Sequence, residues 1–250
     1  MNKVPGILGL YQFLRGFTLL PGFYRDYRAF KKAQDRGEAR FPLRKRDFFL
    51  ALFDKTGHTP FDPHYIYHPA WAARVIAESK PAKHVDIASI LSFSTVVSAF
   101  VPTDFYDYRP AQVTLPDFSG KRGDLLALPF EDKSIASLSC MHTVEHVGLG
   151  RYGDPIDPDG DLKAMAELAR VLAIGGNLLF VVPVGAARIE FNAHRVYSYE
   201  QVISGFSGLR LKEFALIPDN YKKHGLIRGA DPAMVASQRY ACGCFLFTKD

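Results

Sequence analysis

Residues 123–185 read GDLLALPFEDKSIASLSCMHTVEHVGLGRYGDPIDPDGDLKAMAELARVLAIGGNLLFVVPVG, and the order of patterns along them decides the fold. Ile135 to Met141 is a short apolar run bounded by polar residues, and His142 stands at the mouth of the loop that follows. Leu162, Met165, Leu168, Ala169 and Leu172 recur at helical spacing, with Asp161 placed as an N-cap and Gly175-Gly176 as the stop. Leu178 to Val182 is unbroken apolar sequence, the pattern of a parallel strand covered on both faces. Strand, helix and strand in this order make one right-handed crossover unit.

Working outward, His84-Val85-Asp86-Ile87-Ala88 is expected as the first strand, followed by a helix carrying Val96, Val97 and Phe100. Thr103 to Tyr106 is the second strand, ending at Asp107, and Leu125-Leu126 a short third. A helix over Pro69 to Glu78 precedes them, with Trp71, Val75 and Ile76 turned inward and Pro near its first position. Downstream come a helix over Tyr199 to Phe206 and two strands, Leu209 to Ile217 and Tyr240 to Thr248, the antiparallel pair at one edge. Residues 218–239 are a long connection, either a cap over a site or a surface loop. The expectation is a doubly wound α/β domain over residues 64–250 with a mostly parallel, seven-stranded sheet. A basic helical extension over residues 1–63, with a short helix around Phe48 to Phe53, precedes it.

The composition agrees with one core-forming domain. Of 250 residues 48% are apolar, enough for a sizeable core. Cys140, Cys242 and Cys244 make no disulfide framework, which fits a reducing cytoplasm. Cys242 and Cys244 share one face of the last strand, but two thiols with no histidine near in sequence are a poor metal site. The net charge of +5 is uneven: residues 1–46 hold eleven Lys/Arg against three Asp/Glu. No run there reaches the ~18 apolar residues of a spanning helix, and no small-residue cleavage pattern follows. Two readings stay open. Phe13, Phe17, Leu19 and Leu20 can enter a lipid boundary with Arg25, Arg28, Lys31 and Lys32 at anionic headgroups on the inner face of a membrane. Otherwise a helix packs on the main domain with a solvated basic face. No aromatic-basic interleaving suggests nucleic acid as a partner.

The runs LPFEDKSIASLSCMHTVEH and ELARVLAIGGNLLFVVPV resemble the second half of class I S-adenosylmethionine-dependent methyltransferases. EHVGLGRYGDPIDPDG and FNAHRVYS are similar to a narrower group of methyltransferase-like proteins known as a domain of unknown function. The resemblance spans roughly residues 64–216. It implies S-adenosylmethionine as cofactor, bound at the crevice beyond the carboxyl ends of the strands, where strand order reverses. By position it assigns Asp86, Ala88, Ser89, Ser92, Asp107, Asp124 and Met141 to that cofactor, with Asp107 on the ribose and Asp124 near the adenine. Where the family reads D-x-G-x-G-x-G, this chain has Asp86-Ile87-Ala88-Ser89-Ile90-Leu91-Ser92. Ile90 is bulky at a place of close backbone approach, so the crevice is either rerouted, with serine hydroxyls replacing some contacts, or partly filled.

Three histidines are candidates for the base that takes the acceptor's proton: His194 first, then His142 and His146. Each also fits a packed, hydrogen-bonded core residue. His142, Glu145 and His146 spell the H-x-x-E-H of one metallopeptidase class, but they follow a strand rather than lie on a helix, and the aspartates of residues 154–161 miss the calcium-hand register, so no metal is expected. Glu145, Arg151, Tyr152, Asn192 and Arg195 are assigned to the acceptor. The functions to be separated are methyl transfer to a small-molecule or glycan-like acceptor, a glycosyltransferase-like use of another nucleotide-bearing donor, and a non-catalytic partner at the membrane.

Overall fold

The computed structural model describes the backbone of residues 5–250 and the side chains from residue 13 onward. The chain divides into two compact units, one up to Pro60 and one over Phe61–Asp250. The first holds a long helix, α1 (Pro5–Gln34), with Pro21 inside it. Residues 1–4 of the basic extension lie outside the described residues. Phe13, Leu14 and Phe17 are exposed along α1, and Phe23, Tyr24 and Tyr27 gather edge-to-face around Phe48. The short helix expected over Phe48 to Phe53 does not form; a 3-10 turn occupies Lys45–Asp47 instead. A helix this short needs a face to pack, and Phe49, Leu50 and Phe53 stand exposed. No helix among the described residues is long and apolar enough to cross a membrane.

The second unit opens with α2 (Pro63–Ser79), six residues earlier than expected. Asp62 caps it by accepting the N–H groups of His64 and Tyr65, and Pro63 occupies the first turn. With that start in place, Pro69 is carried inside the helix. Next come β1 (His84–Ile87), α3 (Leu91–Val97), β2 (Thr103–Asp107) and β3 (Phe118–Arg122). The third strand thus lies before Leu125-Leu126, which sit in the loop beyond it. Phe118 is the one buried side chain of β3, so this edge strand is held by backbone pairing to β2 and carries little apolar signal. β4 (Ile135–Met141), α4 (Gly160–Val171) and β5 (Leu172–Val184) complete the crossover.

Two boundaries of that crossover differ from expectation. α4 ends at Val171, and Gly175-Gly176 lie within the strand rather than stopping the helix. Arg170 anchors this end, donating to Glu167, Asp132 and the carbonyls of Leu128 and Phe130. A Cβ at Gly176 would press on the carbonyls of Ile135, Ala136 and Ala173, so close strand approach accounts for the glycine. At the other end Asp159, not Asp161, is the N-cap; Asp161 is buried.

The chain continues with β6 (Arg188–Glu190), β7 (His194–Val196), α5 (Tyr199–Gly205), β8 (Arg210–Ile217), α6 (Tyr221–His224), β9 (Ile227–Arg228) and β10 (Ala241–Thr248). The sheet order is β3-β2-β1-β4-β5-β10-β8-β9, with β6-β7 a separate ribbon. Strands β1 to β5 run parallel and β10 and β8 antiparallel, as expected; β9 adds an eighth, two-residue edge. Side chains alternate across the sheet. Leu178, Phe180, Val182 and Phe245 pack with Met165, Leu168 and Phe206 on the α4/α5 face. Leu179, Val181, Cys242 and Cys244 pack with Trp71, Ile76 and Phe93 on the α2/α3 face.

Candidate active site

Strand order reverses beside β1: β2 and β3 lie on one side of it and β4 and β5 on the other. The carboxyl ends of β1 and β4 therefore splay apart, and a cavity of about 410 Å3 opens above them. Its wall takes Ile87 and Ala88 from β1, Tyr106 to Arg109 from β2, Gly123 to Leu126 after β3, and His142, Thr143, His146 and Val147 after β4. Tyr152, Asp154 and Pro155 close one side.

Two backbone positions at this crevice are strained. Ala88 (φ 53) and His142 (φ 55) both occupy left-handed conformations that non-glycine residues seldom adopt. Hydrogen bonds hold both in place. The Ala88 N–H donates to the Tyr106 carbonyl at 2.7 Å, and the Thr143 hydroxyl donates to the Ala88 carbonyl at 2.8 Å. The His142 N–H donates to the Val181 carbonyl at 2.8 Å. Ile90 does not fill the cavity. It precedes α3 with extended backbone and packs on the α2/α3 face of the sheet.

Of the residues assigned to the cofactor, Ala88, Asp107 and Asp124 line the cavity. Asp107 Oδ1 accepts the Arg109 N–H at 2.7 Å and Asp124 Oδ1 the Leu126 N–H at 2.9 Å, while no described residue donates to either Oδ2. Asp86, Ser89, Ser92 and Met141 lie elsewhere. The Asp86 carboxylate is fully buried, accepts the Ser89 N–H and the Ser94 hydroxyl, and is pushed up to about 6 by burial. The Ser89 hydroxyl faces away toward the Met141 N–H, Ser92 is exposed on α3, and Met141 sits in the opposite core. The Ser89–Met141 bond fastens the turn to β4, and Asp86 ties the turn to α3 through Ser94.

The acid-base candidates separate in the same way. His146 lines the cavity, and its Nδ1 lies 2.6 Å from the Ala193 carbonyl. A carbonyl only accepts, so the proton is on Nδ1 and the Nε2 lone pair is free. His142 also lines the cavity, with its Nδ1 tied to Glu145 Oε1 at 2.9 Å, and Glu145 itself does not line it. Glu145 is 1% exposed. His194 does not line the cavity. It sits beside Glu190 at 3.5 Å and against the Tyr240 ring, and burial lowers its pKa.

Arg195 likewise does not line this cavity. It is 5% exposed, donates to the carbonyls of Val147 (2.6 Å) and Pro158 (3.0 Å), and sets its Nε 3.5 Å from Asp161. Asp161 also accepts the Tyr197 hydroxyl at 2.9 Å. These bonds pin the loop 147–161 that bears Tyr152, Asp154 and Pro155. Asp154 cinches the same loop by accepting the N–H groups of Gly148, Gly150 and Tyr152; although partial burial raises its pKa, these bonds bring it below the usual carboxylate range. Arg109 and Arg151 each lie 5.1 Å from the Tyr152 ring, a cation–π clasp at the cavity rim. Asn192 is exposed on the turn between β6 and β7.

A further cluster brings together residues distant in sequence. His64 stacks on His142 (ring centroids 5.3 Å apart) and on Tyr240, His68 meets His142 edge-on, and Cys242 Sγ lies 3.4 Å from His142 Nε2. His64 and His68 stand one helical turn apart, an i, i+4 pair that shares a face of α2. That spacing was the available signal.

The architecture defines a class: this is the Rossmann-like fold of S-adenosylmethionine-dependent methyltransferases. The N-methyltransferase NodS of Bradyrhizobium japonicum WM9, solved with S-adenosyl-L-homocysteine, superposes with a TM-score of 0.52 at 13% identity over 75% of this chain and 88% of its own. A sarcosine dimethylglycine methyltransferase-like structure from Galdieria sulphuraria gives 0.51 at 16% identity, covering 73% and 85%. A methyltransferase-like protein of Bacillus halodurans C-125 gives 0.50 at 14% identity, covering 73% and 99%. Residues 126–213 match the family described as "Caenorhabditis protein of unknown function, DUF268". No curated protein matches the chain.

Proposed function

We propose that this protein transfers a methyl group from S-adenosylmethionine to a small or glycan-like acceptor. The observation that carries the reading is the cavity at the ends of β1 to β4, with Asp107 and Asp124 on its wall and one oxygen of each free of described donors. Its volume suits a ligand of nucleoside size. The bound cofactor would supply an electrophilic methyl on sulfonium sulfur. Asp107 Oδ2 would accept from the ribose hydroxyls and Asp124 from the adenine amino group, while Tyr106, Leu125 and Leu126 give apolar surface. His146 Nε2 would receive the acceptor's proton, with the Nδ1–H bond to the Ala193 carbonyl supporting that tautomer. Arg151 and Tyr152 at the rim suit a hydroxyl-rich or anionic acceptor.

The test is calorimetry of the full chain with S-adenosylmethionine and S-adenosylhomocysteine. Sub-millimolar binding, weakened at least tenfold by Asp107→Asn, supports the reading. Silence with both ligands overturns it and favours the other nucleotide-bearing donor. His146→Ala is expected to keep homocysteine-product binding and lose about 100-fold or more in kcat once an acceptor is found. A membrane role for residues 1–46 rests on exposed Phe13, Leu14 and Phe17 and the basic excess. Vesicle flotation with and without anionic lipid tests it, and salt-insensitive or absent binding removes it.

A further inference from the structure

Three imidazoles and a thiol converge where α2, the end of β4 and the start of β10 meet. Ring nitrogens of His64 and His142 and the Cys242 sulfur all lie within 4.8 Å of one another. Their hydrogen bonds leave each imidazole one ring nitrogen able to act as a ligand. The His64 Nε2–H donates to the Tyr240 carbonyl at 3.2 Å, which leaves Nδ1 with a lone pair. The His142 Nδ1–H donates to Glu145, which leaves Nε2 facing Cys242. The His68 Nδ1–H donates to the His64 carbonyl at 2.6 Å, and its Nε2, in a residue 0% exposed, has no partner among the described residues. Glu145 Oε2 is also without one. Around these residues buried acceptors outnumber donors, with only the weak Cys242 S–H facing His142 Nε2, an imbalance that a bound cation would relieve.

We infer that His64, His142 and Cys242 form a site for a divalent transition-metal ion, with zinc the best match to two imidazoles and a thiolate, and with Glu145 orienting His142 from behind. In a tetrahedral zinc site, nitrogen and sulfur ligands are separated by about 3.5 Å, close to the 3.4 Å between His142 Nε2 and Cys242 Sγ. Binding would release the thiol proton to solvent and draw the farther ring nitrogen inward by about 1 Å. A carboxylate on the non-ligating nitrogen of one histidine and a carbonyl on the other make the outer shell that orients imidazole ligands. Three protein ligands leave a fourth position open, the arrangement of reactive rather than purely structural zinc. Because His142 also lines the cavity, the ion would sit beside the acceptor space.

The full chain, stripped with chelator, is titrated with zinc by calorimetry and with cobalt by absorption. One equivalent of zinc at sub-micromolar affinity is expected, along with sulfur-to-cobalt charge transfer and the strong visible bands of tetrahedral cobalt. Cys242→Ser removes the charge-transfer band and Cys244→Ser keeps it. His64→Ala weakens zinc at least 100-fold, and Glu145→Gln about 10- to 100-fold. X-ray absorption of the wild-type zinc adduct reports the ligands even if a variant misfolds, and should show one sulfur at about 2.3 Å with nitrogens at about 2.0 Å. No saturable binding, or a coordination shell without sulfur, overturns the site and leaves a Cys242–His142 hydrogen bond in its place. None of these readouts depends on methyl transfer.

Discussion

Replacing Arg195 with Met tests whether this side chain holds the cavity loop or meets a ligand. The guanidinium is buried, donates to the carbonyls of Val147 and Pro158, and faces Asp161 at 3.5 Å. Charge-assisted hydrogen bonds contribute about 1.5–3 kcal/mol each, and methionine keeps much of the apolar bulk. Its loss also leaves the Asp161 carboxylate buried with one partner, the Tyr197 hydroxyl. Breaking one side of a buried pair costs about 3–5 kcal/mol, and since the hydrogen-bond and charge contributions overlap, about 4 kcal/mol is expected in all. Urea unfolding of the wild type, Arg195→Met and the double variant with Asp161→Asn measures it. The double variant should recover 1–2 kcal/mol or so, because no unpaired charge remains. Amide exchange over residues 147–161 should quicken in the single variant. A stability loss below about 1 kcal/mol, with acceptor KM raised and loop exchange unchanged, would refute the buttress and return Arg195 to the acceptor.

Three other substitutions probe the crevice and its turn. Ala88→Gly relieves a left-handed alanine, and after the entropy it adds to the unfolded chain a gain of about 0.5–1 kcal/mol is expected by urea unfolding; a loss would show that the methyl group packs usefully. Asp86 has its pKa raised by folding, so its contribution is full below about pH 4 and falls as pH rises through about 6. Asp86→Asn, which keeps an acceptor for the Ser89 N–H, should therefore gain about 2 kcal/mol on wild type between pH 4 and pH 7.5, and a pH-independent difference in urea midpoints would contradict the burial argument. Gly148 (φ 80) has the Asp157 carbonyl oxygen where a Cβ would stand, so Gly148→Ala should cost about 2–4 kcal/mol and weaken S-adenosylhomocysteine binding with it; full retention of both would mean the loop reshapes freely.

The sheet was legible because its strands carry strong one-dimensional signals. Leu178 to Val182 and the helical recurrence from Leu162 announce a crossover whatever surrounds them. β3 was misplaced because its residues carry one buried apolar group, and nothing local distinguishes Phe118–Arg122 from a loop. Gly175-Gly176 misled because a stop signal and a close strand approach use the same residue. At the site, Asp107 reaches the cavity because it ends β2, while Asp124, assigned through the family resemblance, reaches it from the loop after a β3 that lies earlier than expected. Asp86, Ser89 and Arg195 carry polar side chains that the fold turns inward, and direction across a turn is not written in residue type. The partners of His142 come from residues 64 and 242, far apart in sequence, and proximity of that kind appears only when the sheet brings β10 beside β5.

His142 occupies the strained position after β4, where its backbone N–H is held by Val181 and its ring is gripped by Glu145 on one side and Cys242 on the other. A left-handed non-glycine residue costs of order 1–3 kcal/mol and persists when its surroundings over-determine it. Three independent tethers on one residue supply that condition. Ala88, the facing strained position, is tethered through Tyr106 and Thr143, and Thr143 is the chain neighbour of His142. The two strand ends that form the cavity floor are therefore coupled through one dipeptide. Occupation of the His64–His142–Cys242 cluster would stiffen the same dipeptide from the opposite face of the sheet. Such stiffening need not touch the cofactor to alter its affinity, since a floor already ordered leaves less entropy to lose on binding. Zinc should then bind more tightly in the presence of saturating S-adenosylhomocysteine than in its absence, and equal affinities would refute the coupling.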